Sequence, residues 1–446
     1  MGSASISRLK SLDTFRGIVM VLLIFGGMTV RDMHALHPDQ TVWEALSVAF
    51  SHAEWQGCSL WDLIMPAFLF MVGLSIPYAY ASKRAQGESE AWIFTHAALR
   101  ALTLLILHLT ISVPFRTNLD LAWPFIVMAV GLPVPRWIAR QFFAGSPHGV
   151  AWLRAAWWGG ILGAATFRAI ARLYDIPSLE FHDILPALGF AYFFAFLLVK
   201  QTQSTRAIIG GLILFAYWLL FATYPLPPAD FDPASVGRLP GDPAYAGFFE
   251  HWNKGTNAAA AFDRWFLNLW PRPEPYAFNS HGYQTLSFIP EIATIVLGLM
   301  AGDAIRTGTD RRSTGRLLFT SGALCVVAGF ALGQIAAPIV KSVWTPSWTL
   351  FSGGWAILTA AVLHHIIDVR GWTRWADPLV TIGMNPLVLY VIAIEYRWYV
   401  LEAWRRLFGQ EIFVVGWQPI AESSAFLLSL WFLAAALRRA GIYVRL

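Results

Sequence analysis

His52 is the residue of this sequence best placed to do chemistry. It stands in the segment SHAEWQGCSLWDLIMPAFLFMVG, Ser51 to Gly73, a few residues before a long apolar run. A neutral imidazole at a membrane boundary can accept an acyl group or act as general base, because its unperturbed pKa of about 6.5 lies near working pH. Glu54 is close in sequence, and Asp62 follows inside the run. Carboxylates at membrane depth are costly and usually face a partner or a cavity. For Asp62 the packing partner expected is Arg16 or Arg100. If the segment were helical throughout, His52 and Asp62 would stand about 15 Å apart at about 1.5 Å per residue. That spacing predicts no simple hydrogen-bonded dyad, and any orienter of His52 is expected from another span or loop. The plainer role for His52 is an interfacial side chain satisfied by water or backbone.

Other polar groups recur at membrane depth. They include Asp13, Arg16, Arg100, His108, His182, Asp183, Glu291 after Pro290, Lys341 before WTPSW, Asn385 and Glu395. Each must be paired or hydrated at a cost of a few kcal/mol, so they predict a polar pathway or site through a helical bundle. That expectation fits a transporter as well as an enzyme. No Walker-type GxxxxGK[ST], GxSxG elbow, HExxH or dinucleotide fingerprint is present. The adjacent His364 and His365 point in different directions on a helix and read as structural. Cys58 and Cys325 lie far apart and imply neither a disulfide nor a metal site.

The elements that must position these residues are membrane helices. Of the 446 residues 57% are hydrophobic and only 13% charged, against about 25% charged in soluble domains. The class expected is an all-α polytopic membrane protein of about 10–12 transmembrane helices, with 1–446 as a single transmembrane domain. A span needs about 20 mostly apolar residues. Good candidates fall near 15–32, 60–80, 93–113, 184–200, 207–224, 286–303, 317–337, 347–367, 378–397 and 420–437. A weaker pair near 121–139 and 152–170 reads as an inserted helix pair over about 121–170.

The net charge of +5 suggests no nucleic-acid partner, because Lys and Arg are confined to short segments between apolar runs and so report topology. They put both termini in the cytoplasm and the segments 33–58, 225–283, 341–347 and 398–418 outside. The Pro-, Gly- and aromatic-rich loop at about 225–283 suits a folded lid. Its HWNKGTNAAAAFDRWFLNLWPR, His251 to Arg272, predicts a short amphipathic helix packing Trp252, Phe262, Trp265, Phe266 and Trp270 down on the bundle.

Several blocks together resemble the heparan-α-glucosaminide N-acetyltransferase family and its bacterial relatives carrying the DUF5009 domain. They are RLKSLDTFRGIVMVLLIF (Arg8 to Phe25), HAEWQGCSLWDLIMPAFLFMVGLSIP (His52 to Pro77) and DILPALGFAYFFAFLL (Asp183 to Leu198). NSHGYQTLSFIPEIATIVLGLMAGD (Asn279 to Asp303), PIVKSVWTPSWTLFSGGW (Pro338 to Trp355) and GMNPLVLYV (Gly383 to Val391) follow in the family's order. The resemblance implies transfer of acetyl from cytosolic acetyl-CoA, as co-substrate and without a metal, to an amino sugar on the far side of the membrane. His52 of HAEWQG is the counterpart of the family's reactive histidine. It also implies a bacterial inner-membrane location, an acceptor among cell-envelope or imported sugars, and a homodimer. Animal members carry an Asn shortly after the first apolar run, where this chain reads FGGMTVRDMH with Gly26 and Gly27.

The function expected is a membrane-embedded acyltransferase with His52 as acyl acceptor or general base. Glu54, Asp62, Asp263, Arg264, Glu291, Lys341 and Asn385 are candidates for binding substrate or closing the lid. The alternative is a transporter or flippase of a small sugar or glycolipid in which His52 only lines a pathway.

Overall fold

The computed structural model describes residues 9–111, 181, 183–238, 241–269, 272, 274–413 and 416–443. They form α-helices and short 3-10 or π turns, with no strand among the described residues. The first five helices are α1 (Lys10–Phe25), α2 (Gly27–Leu36), α3 (Thr41–Ala49), α4 (Ile64–Ala85) and α5 (Glu90–Ile111). After the undescribed stretch come α6 (Ile184–Phe196), α7 (Gln203–Ala222) and, in the long loop, α8 (Ala258–Phe266). The rest are α9 (Phe288–Thr307), α10 (Arg311–Ile335), α11 (Pro346–Leu363), α12 (Asp377–Gly383), α13 (Pro386–Glu395), α14 (Arg397–Phe408) and α15 (Gln418–Arg439).

Eight helical stretches among the described residues are long and apolar enough to cross a membrane, and the chain is an integral membrane protein. Two of the ten expected spans differ in detail. The one near 184–200 is the short α6, and the one near 378–397 is broken at Met384–Asn385 into α12 and α13, which are bent by 67°. Pro386 opens α13, and a proline supplies no N–H to continue the preceding helix. The helix pair expected over 121–170 lies outside the described residues.

The bundle has two chemically distinct ends. At one, Lys10 pairs with Asp377 at 2.6 Å, Arg206 with Asp303 at 3.0 Å, and Arg438 donates to Thr381. The His364 ring spans Asp368 and the Arg311 carbonyl there, so this histidine is structural. α1 begins and α15 ends at this basic end. The segments expected outside gather at the other end. His37 bonds the Gly416 carbonyl, and Trp55, Trp252, Ala337, Val340 and Val343 share one apolar cluster with Tyr217 and Phe221 of α7.

Inside, α4 and α9 approach so closely that their backbones touch. A Cβ at Gly73 would collide with the Ile295 carbonyl, and one at Gly298 with the Phe70 carbonyl. Lipid tails are as apolar as leucine, so membrane helices associate through such small-residue contacts and close packing. Large apolar side chains such as Ile208 and Leu212 on α7 and Leu324 and Val327 on α10 are exposed, a surface suited to lipid.

Candidate functional site

Ser59-Leu60-Trp61-Asp62 decides the local fold around His52. The Asp62 N–H donates to Ser59 Oγ, while the Ser59 hydroxyl and N–H donate to Asp62 Oδ2 at 3.0 and 3.1 Å. This is a capping box with Asp in the usual Glu position, and it starts the helical run at Trp61. Residues 52–58 are therefore an irregular loop, turned at Gly57 with φ +114°, a region open to glycine at little cost. Gly57 N–H bonds the Ile339 carbonyl, and the buried Trp55 donates from Nε1 to the Trp252 carbonyl.

The loop folds back on the helix start and corrects the expected 15 Å separation. His52 Nδ1 lies 2.7 Å from Asp62 Oδ1. Asp62 Oδ2 also accepts from Ala53 N–H at 3.1 Å, and the Asp62 side chain is only 1% exposed. The partner of Asp62 is neither Arg16, which faces Asp13 at 3.3 Å, nor Arg100. It is Lys341, whose Nζ stands 3.1 Å from Asp62 Oδ1 and 3.0 Å from His52 Nδ1.

These three distances determine the tautomer. If Nδ1 accepted from Lys341, its lone pair would face a carboxylate oxygen at 2.7 Å. The charge-assisted bond to a carboxylate is the stronger one, so Nδ1–H donates to Asp62 and the Lys341 ammonium donates to the same carboxylate. The lone pair is then on Nε2, and the His52 side chain is 50% exposed. The result is a half-exposed histidine held through Nδ1 by a buried acid.

Lys341 is placed by a rigid turn between α10 and α11. Thr345 Oγ1 and Ser347 Oγ both donate to the Pro338 carbonyl, and Trp344 sits at φ +49°, a left-handed conformation that a bulky residue seldom adopts. Trp344 Nε1 donates to Thr294 Oγ1 of α9, and Ser287 Oγ to the Ser342 carbonyl. The turn is thus tied to α9, and the glycine contacts tie α9 to α4, which follows directly on the 3-10 turn Trp61–Leu63 that carries Asp62. Burial pushes the Lys341 ammonium below its ordinary value, with Asp62 pulling the other way. Its Nζ lies 5.8 Å from the Tyr283 ring centre, and burial with the nearby Asp62 pushes that phenol up to about 12.

The remaining candidates fall elsewhere. Glu54 is exposed on the loop. Asp263 is buried and accepts from Thr285 N–H, and Arg264 donates to the Gly255 carbonyl, so both organise the long loop. Within α8 the buried face is Ala258, Ala259, Ala260 and Asp263, whereas Trp265 is 60% exposed. Of the aromatics expected to pack down, Trp252 is the one fully buried, and Trp270 lies outside the described residues. Glu291 is buried in α9, and its Oε2 has no hydrogen-bond partner among the described residues. Asn385 is not on the outer face: it sits at the α12–α13 break and donates to the Ile442 carbonyl beyond the basic end of α15.

At Gly26 and Gly27 an added Cβ would crowd the Trp61 ring at 2.8 and 3.0 Å. Trp61 fills that space and lies 6.4 Å from the His52 ring. Among the described residues no group of three or more His, Cys, Asp or Glu is arranged to hold a metal ion.

Fold and site together define an all-helical integral membrane protein with a His–Asp–Lys cluster at its loop-bearing end. In sequence, the chain is similar to the heparan-alpha-glucosaminide N-acetyltransferases. It is 24% identical to the Mus musculus protein over 416 residues and 25% identical to the Homo sapiens protein over 409 residues. Each alignment takes in 87% of this chain and 53% of the relative, so the chain spans about half the length of the curated relatives it matches. No family model matches the chain.

Proposed function

We propose that the protein transfers an acyl group, acetyl in the simplest case, from acyl-CoA to an amino sugar or other glycan at the loop-bearing end of the bundle. The observation that carries this reading is the pairing of His52 Nδ1 with buried Asp62, which leaves the lone pair on Nε2. The names of the relatives support the reaction class and the kind of acceptor.

Nε2 can act in two ways. As nucleophile it attacks the thioester carbonyl carbon; the C–S bond breaks, CoA leaves as thiolate, and the acyl group rides on Nε2 until the acceptor's amine or hydroxyl displaces it. As general base it takes the proton from the acceptor while that group attacks the thioester directly. In both routes Asp62 holds the ring in one tautomer and offsets the positive charge that develops on it. Lys341 keeps the Asp62 carboxylate in place. Exposed Arg306, Arg312 and Arg316 at the basic end suit the nucleotide phosphates. On this reading the basic end faces the cytoplasm, and the pantetheine arm passes between the spans toward His52.

Release of CoA thiol from acetyl-CoA by the purified protein, with and without glucosamine, tests the proposal. Release that is lost in His52→Ala supports it, and release without acceptor selects the acyl-histidine route. A second reading, transport of a small sugar or glycolipid, draws on the break at Asn385, since transporters build sites at discontinuous helices. Flux into vesicles with no CoA release from any donor would favour that reading.

A further inference from the structure

A cavity of about 560 Å³ runs along the bundle between α7 and α10, with α9 and the start of α11 as its floor. Its wall is cut away at Gly210 and Gly211, and a Cβ at Gly211 would meet nothing within 4 Å. The lining from Arg206 to Trp218 covers twelve residue steps, about 18 Å of helix. That is more than half of the roughly 30 Å hydrocarbon core.

The polar side chains at its edge are already committed to the protein. Arg206 donates to the Leu198 and Val199 carbonyls and to Asp303. Ser347 bonds the Pro338 carbonyl, Thr349 the Thr345 carbonyl, and Trp218 Nε1 the Ala336 carbonyl. A polar ligand would find no partner here, whereas an alkyl chain needs none. The same upper end borders the turn that carries Lys341. Ala336 and Ala337 on one side and Pro346 and Ser347 on the other line the cavity, and they are the two feet of the turn whose apex places Lys341 against Asp62. Trp218 stands at that end, as tryptophans do at the level of lipid headgroups.

We propose that this groove seats the hydrocarbon anchor of a lipid-linked acceptor, holding its sugar beside the Lys341 turn and His52. The proposal rests on the acyl-transfer reading for its substrate class, though the groove itself can be tested without turnover.

The probes are glucosamine and a series of alkyl glucosaminides of increasing chain length, assayed by CoA release in nanodiscs. With the native chain, KM falls about fourfold per added methylene until the groove is filled, with little change in kcat. In Gly211→Leu, and independently in Ala207→Leu, that gradient flattens. The ratio of long-chain to unsubstituted acceptor kcat/KM then drops at least tenfold. In parallel, native mass spectrometry after detergent extraction reads retention of a decyl or dodecyl glucosaminide, which Gly211→Leu abolishes.

A KM independent of chain length, or the same gradient in both variants, overturns the proposal, because the chain would then act only by partitioning into the bilayer. Retention of bulk phospholipid alone, or of a second copy of the chain in the groove, also overturns it. Alkyl glucosaminide retained and lost in the variant while no acceptor supports CoA release would sink the acyl-transfer reading and leave the groove's ligand standing.

Discussion

Nδ1 of His52 and Oδ1 of Asp62 lie 2.7 Å apart, although ten residues separate them and a continuous helix would keep them at opposite ends of nearly three turns. The pairing makes the imidazole a one-sided group: Nδ1 is fixed by the acid and the lone pair is left on Nε2. Asp62→Asn keeps the shape but replaces an acceptor with a mixed donor and acceptor, allowing the ring to turn or change tautomer. CoA release should fall by about 10³ to 10⁴, and His52→Ala should remove at least as much. Unchanged folding by circular dichroism, with loss of turnover in both variants, is the outcome expected; a wild-type rate in Asp62→Asn would remove the acid from the mechanism.

Lys341 gives the pair a pH dependence. Its folded pKa lies below the ordinary lysine value because of burial. Between the folded and unfolded values the unfolded chain holds the extra proton. Stability therefore rises as pH climbs through that window, and is diminished below it by the buried ammonium. The charge contact with Asp62 is lost over the same range. Turnover, corrected for spontaneous thioester hydrolysis, should decline on an alkaline limb below about pH 10.4, the unperturbed lysine value. Lys341→Arg should move that limb upward, since arginine stays charged, and Lys341→Met should weaken turnover at every pH. A limb that stays in place in the arginine variant would assign it to another group.

The glycine contacts between α4 and α9 predict a stability effect far from the chemistry. Gly298→Val should destabilise the protein by about 1–3 kcal/mol or more, as overpacking does, and should lower the thermal midpoint in detergent. Because α9 carries the ties to the Lys341 turn, turnover in this variant should also fall at temperatures where the bundle is still folded. Full turnover in a destabilised variant would separate bundle packing from site geometry.

Trp55 joins the His52 loop to the long loop over 225–283 through the Trp252 carbonyl at 3.2 Å. Trp55→Ala leaves a large void at a buried position, a change that costs about 3–5 kcal/mol in well-packed cores. Much of that loss should appear locally, as faster proteolysis within 225–283. Cleavage rates equal to those of the native chain would show that this loop is held by other contacts.

Much of this was readable before any coordinates. Hydropathy located the spans and basic residues sorted the ends, because both are properties of whole segments. Lys341 and His52 were each legible as polar residues outside spans, but their meeting was not: 289 residues separate them, and only the packing of α4 against α9 brings them together. The His52–Asp62 pair has a local signal in the sequence. Ser59-x-x-Asp62 before an apolar run marks a helix start, which excludes a helix running from His52 and permits the loop to return. Asn385 reads in sequence as a residue inside one span over 378–397, because hydropathy does not reveal the break that the structure shows before Pro386.

The order in which the chain is made adds a consequence. Asp62 leaves the ribosome 279 residues before Lys341, roughly 15–60 s earlier at about 5–20 residues per second. During that interval its carboxylate has the Ser59 hydroxyl and the nearby amides for company, but no cation. The charge contact that ties the Asp62 turn to the turn between α10 and α11 can therefore form only late in synthesis, after the spans between them have been made.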